Sequence, residues 1–201
     1  MRVLQAALVQ LVERYPSKLE IIGSISLAAP IFIAKYLMHV FTDTFTQDQL
    51  LPYVEKILEH YTAHVGNHPT EWESWGARTV DITGDSIVKS VIDIIESEIR
   101  IKLICYQAQI QIWPEGVNLS FHKHEVDIKG RNQTSFYNSM LYLNDDFRGG
   151  EFVTEQGIKI EPRSGTLTFF NGNNVRHGVS PFYGNHRYTI IFWWSRQSHW
   201  I

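Results

Sequence analysis

The hydrophobic pattern of this chain changes its period near Leu103, and this change constrains the fold more than any other feature. Before it, apolar residues recur at helical spacing in two segments, Thr46–His60 and Asp85–Lys102. After it, apolar residues alternate with glutamines, as in a half-buried antiparallel strand: Tyr106, Ala108, Ile110 and Ile112. The sequence therefore predicts helices in the first half of the chain and β-strands in the second.

Polar residues at the start of each helical segment predict where the helices begin. Thr46 is an N-cap candidate, and Gln49, three positions later, completes a capping box. Asp85 or Ser86 is expected to cap the second helix, because short polar side chains accept hydrogen bonds from the first free backbone N–H groups.

Further strand-like runs follow in the second half, separated by turns rich in Gly, Asn, Asp and Pro. They are Val117–Glu125, Ser135–Leu143, Glu151–Thr154, Gly157–Ile160, Thr166–Phe170, Val175–Val179 and Arg187–Trp194. Short strands at this spacing predict a sandwich or a jelly roll. We expect a single α+β domain over residues 38–201, with helical support from residues 38–102 and a β core over 103–196.

Residues 1–37 form an N-terminal segment of uncertain role. Ile21–Ala34 is uncharged and apolar, but it is shorter than the roughly 20 residues of a membrane span, and Pro30 interrupts it. It is interpreted as a packed helix or strand. The alternative is that the native chain starts at Met38.

Charge and cysteine content restrict the classes of partner and the compartment. The net charge of −3 implies no general attraction to nucleic acid or to an anionic membrane. The single cysteine, Cys105, excludes an intrachain disulfide and fits a reducing compartment, so we expect a cytoplasmic protein.

Two histidines in one predicted strand are the first candidate metal ligands. His122 and His124 are two residues apart, so their side chains leave the same face. Asp127 follows shortly after, and His177 lies in a later strand. Two histidines and one carboxylate on adjacent strands can hold Fe(II) and leave positions open for other ligands. A second group, His60, His64 and His68, is better explained as a solvated helix end.

An ordered series of short motifs extends from about Ile110 to Ser195. It runs through Trp113–Gly116, His122, Tyr142–Asp145, Gly149–Glu151, Glu161–Pro162, Gly165, Phe169–Phe170, His177, Gly184, Arg187–Tyr188 and Trp193–Trp194. This series is similar to the prolyl 4-hydroxylase-like branch of the Fe(II)- and 2-oxoglutarate-dependent oxygenases. The resemblance implies a double-stranded β-helix, or jelly roll, with supporting N-terminal helices.

The resemblance also implies a reaction and roles for several residues. Fe(II), 2-oxoglutarate and O₂ would hydroxylate a substrate C–H bond and yield succinate and CO₂, with ascorbate as an optional reductant. Arg187, ten residues after His177, would anchor the far carboxylate of 2-oxoglutarate, and Tyr142 would bind the same group. Asn138 shares a strand face with Tyr142 and would also contact the cosubstrate. The substrate would be a small molecule or peptide, with a prolyl or amino-acid residue as the first candidate.

The pattern departs from the family at the first metal ligands, which are normally His-x-Asp or His-x-Glu. Counting from Gly116 makes His122 the first ligand and puts His124 at the carboxylate position, whereas counting back from Tyr142 puts the carboxylate near Asp127. Three versions stay open. The site is all-histidine (His122, His124, His177), or it combines one of the paired histidines with Asp127 and His177, or it is catalytically impaired.

A binding module is the alternative from another functional class. The spacing from Gly116 to His122-x-His124 also resembles the start of a cupin motif, so a metal-binding jelly roll or a catalytically silent relative would carry the same residues. The arrangement of His177 and Arg187 favours the oxygenase.

Overall fold

The computed structural model describes residues 38–65, 78–124 and 136–196. Two helices and twelve strands lie within these ranges: β1 Met38–Phe41, α1 Gln47–Val65, β2 Thr79–Asp81, α2 Ser86–Ile99, β3 Leu103–Trp113, β4 Leu119–His122, β5 Phe136–Tyr142, β6 Arg148–Gly149, β7 Phe152–Thr154, β8 Lys159–Ile160, β9 Leu167–Asn171, β10 His177–Val179, β11 Phe182–Tyr183 and β12 Arg187–Arg196. The change from helices to strands near Leu103 is confirmed, whereas the short strands β1 and β2 were not predicted.

The helix starts follow the predicted capping residues, but the second helix is shorter than predicted. The Thr46 N–H donates to Gln49 Oε1 at 2.8 Å, as in a capping box. Asp85 caps α2 by accepting from the Ile87 N–H at 3.1 Å. The helix ends at Ile99 rather than at the predicted Lys102, because Arg100 adopts a left-handed conformation with φ 58°.

The described strands form two main sheets, in which neighbouring strands pair antiparallel. The larger sheet has the order β1-β9-β5-β12-β3-β2, and the smaller has the order β4-β10-β7-β8. A short pair, β11-β6, completes the arrangement. The order crosses the sequence repeatedly, so strands distant along the chain become neighbours in space.

The larger sheet separates two apolar clusters. On one face, the helices pack against alternate residues of β3 and β12, including Ile110, Ile190 and Trp194. On the other face, residues of the larger sheet such as Met140 meet residues of the smaller sheet such as Phe152. The second face is therefore the interior between the sheets, and it is here that the polar residues of the candidate site lie.

A bulge at Tyr106 reverses the two faces of β3. Trp193 pairs with Gln107, but Trp194 pairs with Cys105, so the pairing skips Tyr106. The predicted alternation therefore holds for Ala108, Ile110 and Ile112, and Tyr106 does not continue it.

The predicted fold class is confirmed: an antiparallel double-sheet β core is supported by helices. Neither helix in the described ranges has the length and apolar character needed to cross a membrane. The predicted N-terminal segment, residues 1–37, lies outside the described residues, so the predicted domain boundary stays a prediction.

Candidate metal and cosubstrate site

Three histidines converge at one end of the interior between the sheets. His122, the last residue of β4, pairs with His177 on β10. His124 lies two residues beyond the strand, where its N–H donates to the Gly172 carbonyl at 3.1 Å. One ligating atom of each imidazole lies within 4.8 Å of the others, and His124 Nε2 is 3.1 Å from His177 Nε2.

Backbone carbonyls fix the orientation of two of the three rings. His122 Nδ1 is 3.0 Å from the Ser120 carbonyl, and His177 Nδ1 is 2.9 Å from the Val175 carbonyl. Because a carbonyl oxygen only accepts, each Nδ1 in these contacts carries a hydrogen, which leaves Nε2 as the nitrogen that can bind a metal. Second contacts of this kind orient histidine ligands in metalloproteins.

The electrostatic environment keeps two of the imidazoles neutral. Burial, together with the neighbouring His122, lowers the pKa of His124 to about 4. Burial likewise lowers the pKa of His177 to about 3. The His177 ring stacks on Phe152 with a centroid separation of 4.9 Å. Neutral imidazoles with convergent lone pairs are good ligands for a divalent transition metal, so the residues fit an Fe(II) ion.

The fourth predicted ligand lies outside the described residues. Asp127 belongs to the range 125–135. Within the ranges that the structure describes, the convergent group consists of imidazoles alone. Of the second histidine group, His60 and His64 lie on α1 with ring centroids 4.1 Å apart, and His68 is outside the described residues.

Arg187 is a buried cation that lacks an anionic partner among the described residues. It begins β12, and only 1% of its surface is exposed. Its guanidinium carbon lies 5.1 Å from the ring centre of Tyr142 and 5.8 Å from that of Trp113. One terminal nitrogen is 3.0 Å from the Met140 sulfur, whereas Nε has no hydrogen-bond partner among the described residues. No described carboxylate forms an ion pair with it.

Two buried hydroxyl groups lie beside Arg187. Tyr142 is fully buried and stands opposite Thr189 in the β5–β12 register. Neither hydroxyl makes a hydrogen bond of good geometry to a described residue. Burial raises the pKa of Tyr142, although the nearby Arg187 guanidinium opposes the shift. A cation flanked by free hydroxyls suits a carboxylate, so these residues fit the far end of 2-oxoglutarate.

Thr189 was not predicted from the sequence. It lies two residues after Arg187 in a strand, so strand parity alone places both side chains on one face. Its burial and its position opposite Tyr142 depend on the pairing of β12 with β5, which the sequence does not reveal.

Asn138 lies at the other end of β5 from Tyr142, next to the histidines. The residue is 1% exposed, and both amide atoms lack a hydrogen-bond partner in residues 38–65, 78–124 and 136–196. A Cβ atom built on Gly172 would lie 2.0 Å from Asn138 Oδ1 and 3.2 Å from His124 Cβ. The absence of a side chain at Gly172 therefore allows Asn138 and His124 to approach each other.

The β core matches a family of known proteins. Residues 108–195 match the model of the 2OG-Fe(II) oxygenase superfamily. The name of this family includes both Fe(II) and 2-oxoglutarate, which confirms the metal and the cosubstrate predicted from the resemblance. The match begins at the sixth residue of β3 and includes the three histidines, Tyr142 and Arg187.

Solved structures share the fold at low sequence identity. A viral collagen prolyl hydroxylase from Paramecium Bursaria Chlorella virus-1 aligns with a TM-score of 0.60 at 13% identity, covering 81% of this chain and 96% of the viral one. A Pseudomonas putida prolyl-4-hydroxylase aligns with a TM-score of 0.61 at 16% identity, covering 83% of this chain and 96% of the bacterial one.

Curated relatives match over a shorter stretch. Prolyl 3-hydroxylase 2 of Rattus norvegicus and of Homo sapiens are each 36% identical over 66 residues, which is 29% of this chain. The matched stretch covers 9% of those much longer proteins.

Proposed function

Because residues 108–195 form a domain of the 2OG-Fe(II) oxygenase superfamily, we propose that this protein is a 2-oxoglutarate-dependent dioxygenase that hydroxylates a C–H bond. One observation carries the proposal. Arg187 is buried without a described counter-ion, in an interior that also holds three convergent imidazoles. A buried charge is costly unless it is paired, and the carboxylate of a cosubstrate would pair it.

In this proposal His122, His124 and His177 hold the metal. Their ligating atoms already converge. Backbone carbonyls hold Nδ1 of His122 and of His177, so Nε2 is the nitrogen that would bind the metal. We favour the all-histidine version for the residues that the structure describes. The substitution Asp127→Asn distinguishes this version from one in which a carboxylate joins the site or replaces one of the paired histidines.

The other end of the interior binds the far carboxylate of the cosubstrate. Arg187 can donate two parallel hydrogen bonds to a carboxylate, and Tyr142 and Thr189 have hydroxyls free to donate. When bound, Fe(II) with 2-oxoglutarate and O₂ supplies the oxidation of a substrate C–H bond, coupled to formation of succinate and CO₂. The chain's own part is to fix the two ends of the cosubstrate and to exclude water through apolar neighbours such as Phe152 and Phe170.

For the substrate we propose an amino-acid residue, free or in a peptide, with proline as the first to be tried. The names of the relatives support this choice, since they are prolyl hydroxylases. The proposal for proline is separate from the proposal for the reaction.

A metal-binding module without oxygenase activity is the second candidate. It is favoured by one observation: the described ligand group contains only imidazoles, whereas the oxygenases it resembles normally use one carboxylate.

One experiment separates the two candidates. Purified protein is incubated with Fe(II) and 2-oxoglutarate labelled at C1, and release of labelled CO₂ is followed while binding of 2-oxoglutarate is measured under anaerobic conditions. The oxygenase proposal expects release, and it expects Arg187→Ala to abolish both binding and release. Arg163→Ala is the matched control, because the Arg163 side chain is 65% exposed. Binding of metal and 2-oxoglutarate without CO₂ release would favour the binding module instead.

A further inference from the structure

Asn138 carries two buried polar atoms that the proposed chemistry leaves unused. It faces the interior between the sheets, because its neighbour Ser139 faces the other side and accepts a hydrogen bond from Trp194 Nε1 at 2.7 Å. Asn138 is 1% exposed, yet within the part of the chain that the structure describes neither Oδ1 nor Nδ2 has a hydrogen-bond partner. A buried carboxamide with both ends unpaired destabilises the fold until a ligand satisfies it.

The position of Asn138 separates it from the carboxylate anchor. Along β5, Asn138 and Tyr142 are four residues apart on the same face, which corresponds to roughly 13 Å of extended strand. Tyr142 lies at the Arg187 end, whereas Asn138 packs across Gly172 beside His124. Asn138 therefore lies at the metal end of the interior.

The two polar atoms of the Asn138 amide need different hydrogen-bond partners. Nδ2 donates, and any carboxylate or carbonyl oxygen can accept from it; Oδ1 accepts, and it needs an N–H or O–H group. The dianion of 2-oxoglutarate has only acceptor oxygens, so it leaves Oδ1 unpaired in either orientation of the amide. An amide group of a substrate offers both an N–H and a C=O.

We infer that Asn138 is a substrate-binding residue that recognises an amide group next to the C–H bond to be oxidised. This inference rests on the proposed oxygenase function, and it changes the role expected for Asn138 from the sequence, which was contact with the cosubstrate. It restricts the substrates to molecules with an amide beside the reacting carbon, such as a peptide or an amino-acid amide.

The test uses a panel of N-methyl carboxamides that contain a single amide group, each paired with its methyl ester, which keeps the carbonyl, loses the N–H and contains no other amide. Binding to protein loaded with Co(II) and 2-oxoglutarate is measured from the paramagnetic relaxation of the probe protons. Wild-type protein should bind at least one amide roughly three- to tenfold more tightly than its ester, the effect of one hydrogen bond.

Variants assign the preference to the side chain. Asn138→Ala and the larger Asn138→Leu should bind amide and ester equally, while their affinity for 2-oxoglutarate stays within about twofold of wild type. Asn138→Ala leaves a cavity, whereas Asn138→Leu fills the space of the amide. An effect seen only in the alanine variant would therefore come from the cavity. Asn174→Ala, an exposed asparagine in the neighbouring turn, should keep the wild-type preference.

Different results would contradict the role of Asn138 and the proposed oxygenase function. Equal binding of amides and esters to wild type throughout the panel would overturn the inference, and so would a loss of 2-oxoglutarate affinity in both Asn138 variants with the amide preference retained. Failure of wild-type protein to bind Co(II) and 2-oxoglutarate at all would instead overturn the proposed function.

Discussion

The guanidinium of Arg187 lies 5.1 Å from the ring centre of Tyr142, and both side chains are buried between the two sheets. The aromatic faces of Tyr142 and Trp113 attract the cation, but they replace only part of the hydration that burial removes. The protein without cosubstrate therefore carries an unfavourable charge in its interior.

Replacing Arg187 by Met should stabilise the protein without cosubstrate and abolish its response to cosubstrate. We expect the free energy of unfolding to rise by about 1 kcal/mol or more, because an apolar chain of similar length replaces a buried charge that has no counter-ion among the described residues. Wild-type protein should gain stability when 2-oxoglutarate and metal are added, and the variant should not. Denaturant unfolding with and without ligand measures both. A destabilised Arg187→Met protein would contradict this account, and Arg163→Met is the exposed control.

Thr189→Val should weaken the binding of 2-oxoglutarate without harming the fold. Valine keeps the shape of threonine and removes a hydroxyl that has no described partner, so the unliganded protein should be equally stable or slightly more stable. We expect the dissociation constant for 2-oxoglutarate to rise roughly three- to tenfold, as measured by calorimetry. An unchanged dissociation constant would remove Thr189 from the binding site.

Alanine at His122, His124 or His177 should each weaken Co(II) binding by more than roughly tenfold, since each removes one ligand. His64→Ala, on the exposed side of α1, is the control. If the site uses three imidazoles alone, Asp127→Asn leaves the metal affinity unchanged. A large loss in Asp127→Asn would show instead that a carboxylate completes the site.

Gly172→Ala should damage the metal end through a steric clash. The new Cβ would lie 2.0 Å from Asn138 Oδ1, closer than two non-bonded atoms approach, and 3.2 Å from His124 Cβ. We expect weaker Co(II) binding and a loss of roughly 1–3 kcal/mol of stability from overpacking. The same change at Gly157 meets no heavy atom within 4 Å, although its φ of 85° adds some backbone strain. Equal Co(II) affinities in the two variants would argue against the close approach at Gly172.

Tyr53 should make the stability sensitive to alkaline pH. Burial raises the pKa of Tyr53 to about 12, helped by its 2.7 Å hydrogen bond to Asp85, the residue that caps α2. A raised pKa in the folded state means that this contribution is complete below pH 10, the value for an unperturbed tyrosine, and is lost as the pH rises toward 12. Tyr53→Phe should therefore be less stable at neutral pH and should show a smaller loss between pH 10 and 12 in urea unfolding.

The β core could be predicted from the sequence to the extent that local patterns determine it. The alternation around Ile110 and the turn residues between runs are local signals, and the strands follow them. The bulge at Tyr106 is set by pairing with Trp193 and Trp194, about ninety residues later, so no local pattern reveals it. The early end of α2 could not be predicted either, because Arg100 adopts the left-handed conformation although it is not a glycine.

The candidate site, like the fold, could be predicted only where local sequence signals determine it. The spacing from His177 to Arg187 is visible in the sequence, and the structure places both in the interior between the sheets. The position of His124 depends on a hydrogen bond to Gly172, and the environment of Asn138 depends on that same turn. Contacts between distant segments therefore decided the parts that could not be predicted.

The two faces of β12 have a consequence for how the protein opens. Ile190 and Trp194 belong to the core with the helices, whereas Arg187 and Thr189 face the other side of the same strand. The strand is hydrogen-bonded on both edges, to β3 and β5, so it cannot separate from the site without disturbing the core. Amide hydrogens along β12 should thus exchange with solvent only through global opening, and bound cosubstrate should slow that exchange along the whole strand rather than at Arg187 alone.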